Sequence, residues 1–288
     1  MRGVFGFAVA TSLGLAVAQA ATVNILAAEN FYGNVAEQIG GPEVDVGSIL
    51  TNPDQDPHLF EVSASTARKV AGAEIVIFNG AGYDPWMVKL LSASPTAGRA
   101  TIDVARLMHR KSGDNPHLWY DPATVPTLAK ALVALLVKRD PAHRAAYAAR
   151  LARFEASLRP LADEIATLRR TYKGTPVTAT EPVFGYMAAA LGLEMRNPGF
   201  QLAIMNNTEP GASEIAAFQH DLRSRAVRLL LYNVQTSEAL TERMKALARQ
   251  SGVPVVGVSE TEPANMNYQA WMMSQLTALG QALSSEQR

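Results

Sequence analysis

The sequence contains no cysteine among its 288 residues. This absence excludes disulfide bonds, thiolate metal ligands and a lipid-modified N-terminal cysteine. Any metal site in this chain must therefore be built from imidazole nitrogen and carboxylate oxygen. Histidine is also scarce, with five copies, so each histidine can be considered individually.

The chain also lacks an excess of charge of either sign, because 26 Lys and Arg residues balance 26 Asp and Glu residues. A balanced composition gives no reason to invoke nucleic acid, an anionic membrane or a polycationic partner. We expect no nucleic-acid partner, and we expect the protein to act as a monomer.

Long apolar runs are absent except near the N-terminus. Arg2 is followed by an apolar stretch from Val4 to Val17 and then by Ala18-Gln19-Ala20. This is the layout of a cleavable secretory signal, and the run is shorter than the roughly 20 residues of a membrane-spanning helix. We predict a signal peptide over residues 1–20 and a soluble, periplasmic mature chain that begins near Ala21.

Short apolar, β-branched runs alternate with stretches of helical periodicity through the rest of the chain. The predicted strands are 23–27, 43–50, 74–78, 175–179, 228–232 and 253–258. Helices are predicted from Ser63, over Gly185 to Leu191 and over Thr236 to Arg249. This alternation predicts an α/β fold with two lobes, each built on a mostly parallel sheet.

A stretch rich in Ala, Arg, Leu and Glu separates the two groups of strands. Its apolar residues recur every three or four positions from Tyr147 to Ile165, which predicts one long, rigid amphipathic helix. Pro160 should bend this helix, because proline lacks an N–H and clashes with the preceding turn. We therefore predict an N-terminal lobe over 21–140, a connector helix over 141–173 and a C-terminal lobe over 174–288.

Two of the five histidines, His58 and His117, each follow a proline in a loop. Proline restricts its own backbone and that of its predecessor, so each imidazole would project from a stiff turn, as a preorganised ligand requires. One Pro-His pair alone is more often a surface turn, but two pairs at the ends of α/β units in one lobe favour a shared site. The other three histidines have charged neighbours and are assigned no role: His109, His143 and His220.

The surroundings of these two histidines resemble those of a known family. Asp56-Pro57-His58, the segment Asn79 to Trp86 and the segment His117 to Pro122 are similar in order and spacing to landmarks of the manganese/zinc solute-binding proteins of ABC importers. This is the ZnuA/TroA-like cluster, which includes adhesin-like lipoproteins. Thr178 to Tyr186 is similar to the segment that supplies the third metal ligand, and the resemblance extends over the whole mature chain.

The resemblance implies a metal site with four ligands. His58 and His117 match two of them, and Glu181 matches the third, which is histidine in many zinc receptors and glutamate in many manganese receptors. The fourth ligand is an acid in the loop after the last strand, where we prefer Glu260 and retain Glu262 as a competitor.

The resemblance also implies the function, which is capture of one Mn²⁺ or Zn²⁺ between the lobes and delivery to an ABC importer permease, without catalysis. Two carboxylates would offset the charge of the ion; a carboxylate-rich site suits manganese, whereas intrinsic affinity favours zinc. Asp56, Glu61 and Asp121 lie close enough in sequence to accept the second N–H of the imidazoles, although a turn or capping role is an equal alternative for each.

Three other functions fit the sequence less well than metal capture. A dinucleotide fingerprint begins at Gly80-Ala81-Gly82 but lacks its third glycine. A metal-dependent hydrolase would need an open coordination position and a general base, and no candidate acid is left over as that base. A receptor for an organic solute would use aromatic side chains for stacking, although such residues more often form a core. The aromatic candidates are Trp86, Trp119, Tyr120, Tyr232 and Trp271.

Overall fold

The structure, a computed structural model, describes residues 22–54, 57, 60–236 and 238–285. The predicted signal segment 1–20 lies outside these residues, as do His58 and Asp56. No helix within the described ranges combines the length and apolar character needed to cross a lipid bilayer.

The first lobe is built on a parallel sheet with strand order β2-β1-β3-β4. Its strands are β1 (Val23–Glu29), β2 (Val44–Leu50), β3 (Ile75–Phe78) and β4 (Ala100–Asp103). Its helices are α1 (Asn30–Gly40), α2 (Ala64–Gly72), α3 (Pro85–Ala93), α4 (Val104–Leu107) and α5 (Thr124–Arg139). Strand β3 is buried along its whole length, as expected for a parallel sheet covered on both faces.

The second lobe repeats this architecture with strand order β6-β5-β7-β8, also parallel. Its strands are β5 (Pro176–Ala179), β6 (Glu194–Arg196), β7 (Leu230–Asn233) and β8 (Val255–Val258). Its helices are α8 (Gly185–Leu191), α9 (Pro198–Met205), α10 (Ala212–Arg223), α11 (Ala239–Gln250) and α12 (Tyr268–Ser285). The predicted fold of two parallel α/β lobes is therefore confirmed.

Two strands and one helix boundary differ from the sequence prediction. Strands β4 and β6 were not predicted, because both are short, lie at a sheet edge and are only partly buried, so neither presents an apolar run. Helix α11 begins at Ala239 instead of Thr236. Thr236 instead lies in the loop after β7, where its side chain contacts the site described below.

The connector consists of two helices, α6 (Arg144–Ser157) and α7 (Arg159–Tyr172), preceded by a 3-10 turn at Pro141–His143. The interruption falls at Leu158, and Pro160 occupies the first turn of α7, where a missing N–H costs no helical hydrogen bond. Helix α6 packs against α1 and α5, whereas α7 packs against α8 and α12. Each half of the connector is thus part of the packing of one lobe.

Aromatic side chains fill the contact between the lobes. Trp119 from the first lobe and Trp271 from α12 both pack against Phe31, with ring centroids 4.7 and 5.7 Å from that of Phe31. Tyr120 packs against Phe184 at 5.1 Å, and its hydroxyl donates to the Ser259 carbonyl at 2.8 Å. These five aromatic residues are at most 1% exposed, which assigns Trp119, Tyr120 and Trp271 to the core.

Two glycines that end helices provide a matched test of this packing. A Cβ added at Gly40, the last residue of α1, would overlap the stiff Val44 side chain, whereas a Cβ at Gly72, the last residue of α2, would meet no atom within 4 Å. We expect Gly40→Ala to destabilise the protein by about 1–3 kcal/mol through overpacking. We expect Gly72→Ala to change stability by at most about 1 kcal/mol, in the stabilising direction. Urea unfolding followed by circular dichroism measures both, and equal effects would contradict this description of the α1–β2 contact.

Candidate metal centre

The acidic part of the candidate site lies at the carboxyl ends of three neighbouring parallel strands. Glu181 follows β5, Asn233 is the last residue of β7, and Glu260 follows β8. Because β7 lies between β5 and β8 in the sheet, Asn233 stands between the two glutamates. Its side-chain N–H group donates to Glu260 Oε1 at 2.5 Å and to Glu181 Oε2 at 3.2 Å.

His117 faces these glutamates from the first lobe. Its side chain is fully buried, and the loop that carries it is held by Asn79, whose Nδ2 donates to the Pro116 carbonyl at 2.8 Å. Asn115 contacts the ring itself: its Oδ1 lies 2.6 Å from His117 Nδ1, while its Nδ2 donates to the Pro182 carbonyl at 2.8 Å. Because the amide nitrogen is committed to Pro182, the oxygen accepts from Nδ1–H, and the lone pair of the imidazole lies on Nε2.

His117 Nε2 is directed at Glu260. The distance between Nε2 and Glu260 Oε2 is 3.5 Å, and both side chains are fully buried. Within the described part of the chain, no N–H or O–H group donates to Nε2. Two ligand atoms that each lie about 2.0–2.2 Å from a tetrahedrally coordinated ion are about 3.4 Å from each other. The distance between His117 Nε2 and Glu260 Oε2 therefore allows both atoms to bind the same ion.

Glu260 is held by two residues of its own lobe. Its backbone N–H donates to Gln235 Oε1 at 2.5 Å, in addition to the Asn233 contact with its carboxylate. From the first lobe, Tyr83 lies close enough to feel the Glu260 charge: burial raises the pKa of Tyr83 well above its ordinary value, and the Glu260 charge raises it further. The backbone and one carboxylate oxygen of Glu260 are therefore both fixed by hydrogen bonds.

Glu181 is buried but directed at its own lobe. Thr236 Oγ1 donates to Glu181 Oε1 at 2.5 Å, and the side chain is 3% exposed. Burial raises the pKa of Glu181, and the charge of Glu260 raises it further, against the opposing effects of Thr236, Asn233 and His117. Two buried carboxylates thus repel each other here.

The two glutamates that compete for the fourth position have different surroundings. Glu262 lies two residues beyond Glu260, and its backbone is clamped by Asn30 of α1: Nδ2 donates to the Glu262 carbonyl at 2.8 Å, and Oδ1 accepts from the Glu262 N–H at 3.1 Å. Its side chain lines a separate pocket beside α1. Burial and the charge of Glu37 raise the pKa of Glu262 to about 8.

The structure brings His117 and Glu260 together and holds Glu181 beside Glu260 through Asn233. Among residues 22–54, 57, 60–236 and 238–285, no three His, Cys, Asp or Glu side chains are gathered closely enough to hold an ion. His58, the other predicted imidazole, lies outside these ranges.

The remaining predicted groups have ordinary structural roles. Asp121 accepts from the Ala123 N–H at 3.0 Å, so it stabilises a turn, and the His117 ring is oriented by Asn115 instead. Glu61, His109 and His220 are exposed. His143 contacts Asp140 through Nδ1 at 2.6 Å on the connector, far in sequence from the site.

Sequence reasoning missed the residues that position the ligands: Asn79, Asn115, Asn233, Gln235 and Thr236. Only Asn233 carried a recognisable signal, because a polar residue that ends a buried strand lies at the same sheet edge as Glu181 and Glu260. Asn115 contacts His117 from two residues away, whereas Asn79, Gln235 and Thr236 act through contacts between segments distant in sequence.

A pair of buried carboxyl groups, Glu29 and Asp84, lies near this site in the first lobe, and each is 1% exposed. Asp84 accepts from the backbone N–H groups of Asn79 at 2.7 Å and Gly80 at 2.8 Å, which favour its ionised form, although burial raises its pKa to about 6. Burial, followed by the Asp84 charge, raises the pKa of Glu29 well above its ordinary value. Of the two carboxyl groups, Glu29 therefore holds a proton more readily.

Comparisons of the chain with protein families, with known proteins and with solved structures all find metal-binding or metal-transport proteins. The family described as ZnuA, zinc-uptake complex component A, periplasmic, matches residues 25–282. A putative metal-binding protein of Treponema pallidum is 23% identical over 89% of this chain and 86% of its own length. A manganese ABC transporter substrate-binding lipoprotein, PsaA of Streptococcus anginosus, is 22% identical over 91% of this chain and 89% of its own length. The solved structure of the periplasmic zinc-binding protein TroA of Treponema pallidum covers 91% of this chain and 99% of its own, with 18% identity and a TM-score of 0.77, so it shares the fold.

The buried Glu29 carboxyl predicts a specific pH dependence of the metal-free protein. A carboxyl whose pKa is raised on folding stabilises the native state fully below its ordinary pKa of 4.5, and this stabilisation is lost as the pH rises through the raised value. Glutamine at this position mimics the protonated carboxyl. We therefore expect Glu29→Gln to reduce the fall in the free energy of unfolding between pH 5 and pH 9.

Urea unfolding at several pH values, in the presence of a chelator, measures this slope. Glu61→Gln is the matched control, because it makes the same change at an exposed side chain, and it should keep the wild-type slope. Equal slopes for Glu29→Gln and wild type would contradict a raised pKa of Glu29 in the folded protein.

Proposed function

The chain belongs to the ZnuA family of periplasmic zinc-uptake components, which matches residues 25–282, and we propose that it is a periplasmic receptor that captures Mn²⁺ or Zn²⁺ for an ABC importer. The ligands in this proposal are His58, His117, Glu181 and Glu260. The ion is cargo and not a catalytic cofactor, in keeping with a family of transport components rather than enzymes.

The observation that carries the proposal is the approach of His117 Nε2 to Glu260 Oε2 across the two lobes. A buried imidazole with an available lone pair, 3.5 Å from a buried carboxylate, provides two converging donors of the kinds that zinc and manganese accept. Asn115 supports this role by fixing the ring tautomer that leaves Nε2 free to coordinate.

The electrostatics of the second lobe also favour a cation. Glu181 and Glu260 are both buried, and the charge of Glu260 raises the pKa of Glu181. A divalent ion between them would remove this repulsion and compensate for the burial of two negative charges. Two carboxylates and two neutral imidazoles around a divalent ion give a site of zero net charge.

Glu181 completes the site by exchanging partners. Its Oε1 accepts from Thr236, and its Oε2 accepts from Asn233. We propose that the carboxylate leaves Thr236 and turns toward His117 when the ion enters. His58 follows β2 in the sequence, and β2 ends at the carboxyl edge of the first sheet. We propose that His58 brings the second imidazole to the site from this edge.

Delivery requires that the protein reach the periplasm and meet a membrane permease. We propose that residues 1–20 are a cleaved export signal, on the basis of Arg2, the apolar run that follows it and Ala18-Gln19-Ala20. The mature receptor would then present its loaded cleft to the permease as a monomer. Mn²⁺ and Zn²⁺ both remain in the proposal, because the donor set suits manganese while intrinsic affinity favours zinc.

Substitution of the proposed ligands tests the site. We expect His117→Ala to weaken Mn²⁺ and Zn²⁺ binding by more than about 100-fold, because loss of a ligand should exceed the 10–100-fold effect of losing an outer contact. Glu260→Gln keeps the shape of the side chain and should weaken binding by at least about tenfold. Isothermal titration calorimetry of chelator-treated protein with each metal measures these affinities.

Glu262→Gln is the matched control, since it makes the same change two residues away in the same buried loop. It should leave Mn²⁺ and Zn²⁺ affinity within about twofold of wild type. A large loss in Glu262→Gln with none in Glu260→Gln would overturn the choice of the fourth ligand, and unaltered binding by His117→Ala would overturn the site.

Acid should release the ion. Protons compete with a metal for imidazole nitrogen, whose ordinary pKa is about 6.5, and the raised pKa of Glu181 adds a second proton acceptor above the usual carboxylate range. Affinity should therefore fall as the pH is lowered through about 6.5. Equilibrium dialysis between pH 7.5 and pH 4 checks this, and full retention of the ion at pH 4 would count against imidazole ligation.

A further inference from the structure

A polar pocket lies beside the loop that follows Glu260. It has a volume of about 350 Å³ and is bounded by α1 and β2 of the first lobe and by residues 262–266 of the second. We call it the α1–β2 pocket. Its charged lining residues are Glu37 and Glu262, and no Lys, Arg or His side chain from the described residues lines it.

Glu262 is the informative residue in this pocket. It is 5% exposed, and within the described ranges no N–H or O–H group donates to its Oε2. The double hydrogen bond between Asn30 and the Glu262 backbone fixes where the side chain begins. A carboxylate buried in this way without a donor for one oxygen is costly unless a cation or a proton compensates it.

The polar residues of the lining present carboxylate, hydroxyl and amide groups, beside the apolar residues Val46, Pro263, Ala264 and Met266. Glu37 on α1 is exposed and lines the same pocket as Glu262, and the hydroxyl groups of Ser48 and Thr51 line it as well. The Asn34 amide oxygen is already committed to the Tyr268 N–H at 3.1 Å and to Gln38. Carboxylate and hydroxyl oxygens without a histidine suit hard cations better than transition metals.

We propose that the α1–β2 pocket is a second cation site, which binds a hard divalent ion such as Ca²⁺ through Glu262 and Glu37, with hydroxyl groups and water completing the shell. This site goes beyond the proposed Mn²⁺ or Zn²⁺ centre, because it uses neither histidine nor Glu260. An ion here would join α1 and β2 of one lobe to the loop after β8 of the other. With two carboxylates, its affinity falls in the weak range, with a Kd of about 10⁻⁴–10⁻³ M.

Calorimetric titration of the mature protein with CaCl₂, with the first site removed by His117→Ala, tests the proposal. We expect one Ca²⁺ per chain in this background, and we expect the added substitution Glu262→Gln to weaken Ca²⁺ binding at least tenfold. Glu37→Gln should weaken it less, because that side chain is exposed. Glu209→Gln, which changes an exposed carboxylate in another loop, is the matched control and should have no effect.

The same variants separate this site from the proposed transport site. Glu262→Gln in the wild-type background should keep Mn²⁺ affinity while losing Ca²⁺, and His117→Ala should do the reverse. Absence of Ca²⁺ binding at 10 mM in the His117→Ala protein, or equal Ca²⁺ affinity with and without Glu262→Gln, would overturn the second site. Neither of these two results would affect the proposed Mn²⁺ or Zn²⁺ site. If His117→Ala and Glu262→Gln each lost both Mn²⁺ and Ca²⁺ binding, the two pockets would act as one site, and this would also overturn the proposal.

Discussion

The packing of aromatic side chains between the lobes is the constraint on which the rest of the structure depends. Phe31, Trp119 and Trp271 form a continuous buried contact from α1 of the first lobe to α12 of the second, and the Tyr268 hydroxyl donates to the Trp119 carbonyl at 2.7 Å. His117 lies two residues before Trp119, so this contact also sets where the imidazole stands relative to the second lobe. The connector reinforces it, because α6 and α7 each pack into one lobe.

This constraint explains why the candidate site is asymmetric. The first lobe contributes an imidazole on a loop braced by Asn79 and Asn115, whereas the second contributes acids at the ends of adjacent strands. Parallel strands deliver their following residues to one edge of a sheet, so Glu181 and Glu260 meet although they are 79 positions apart in the sequence (260 minus 181). Asn233 donates to both carboxylates and holds them side by side, and Thr236 donates to Glu181.

The fold was largely predictable from the sequence, whereas the site was predictable only in part. A fully buried strand such as β3 is recognised by its uninterrupted apolar residues, but an edge strand such as β6 is not. Glu260 and Glu262 are both buried, both follow β8 and differ by one strand period, so no local pattern separates them. What separates them is the partner from the other lobe, which is His117 for Glu260 and Asn30 for Glu262.

One amide side chain, that of Asn115, touches the His117 imidazole on one side and the Pro182 carbonyl of the opposite lobe on the other, while the Tyr186 hydroxyl donates to its backbone carbonyl at 2.7 Å. Separation of the two lobes would therefore disturb the contact that orients the imidazole ring. Contact between the lobes and the orientation of His117 thus depend on the same side chain.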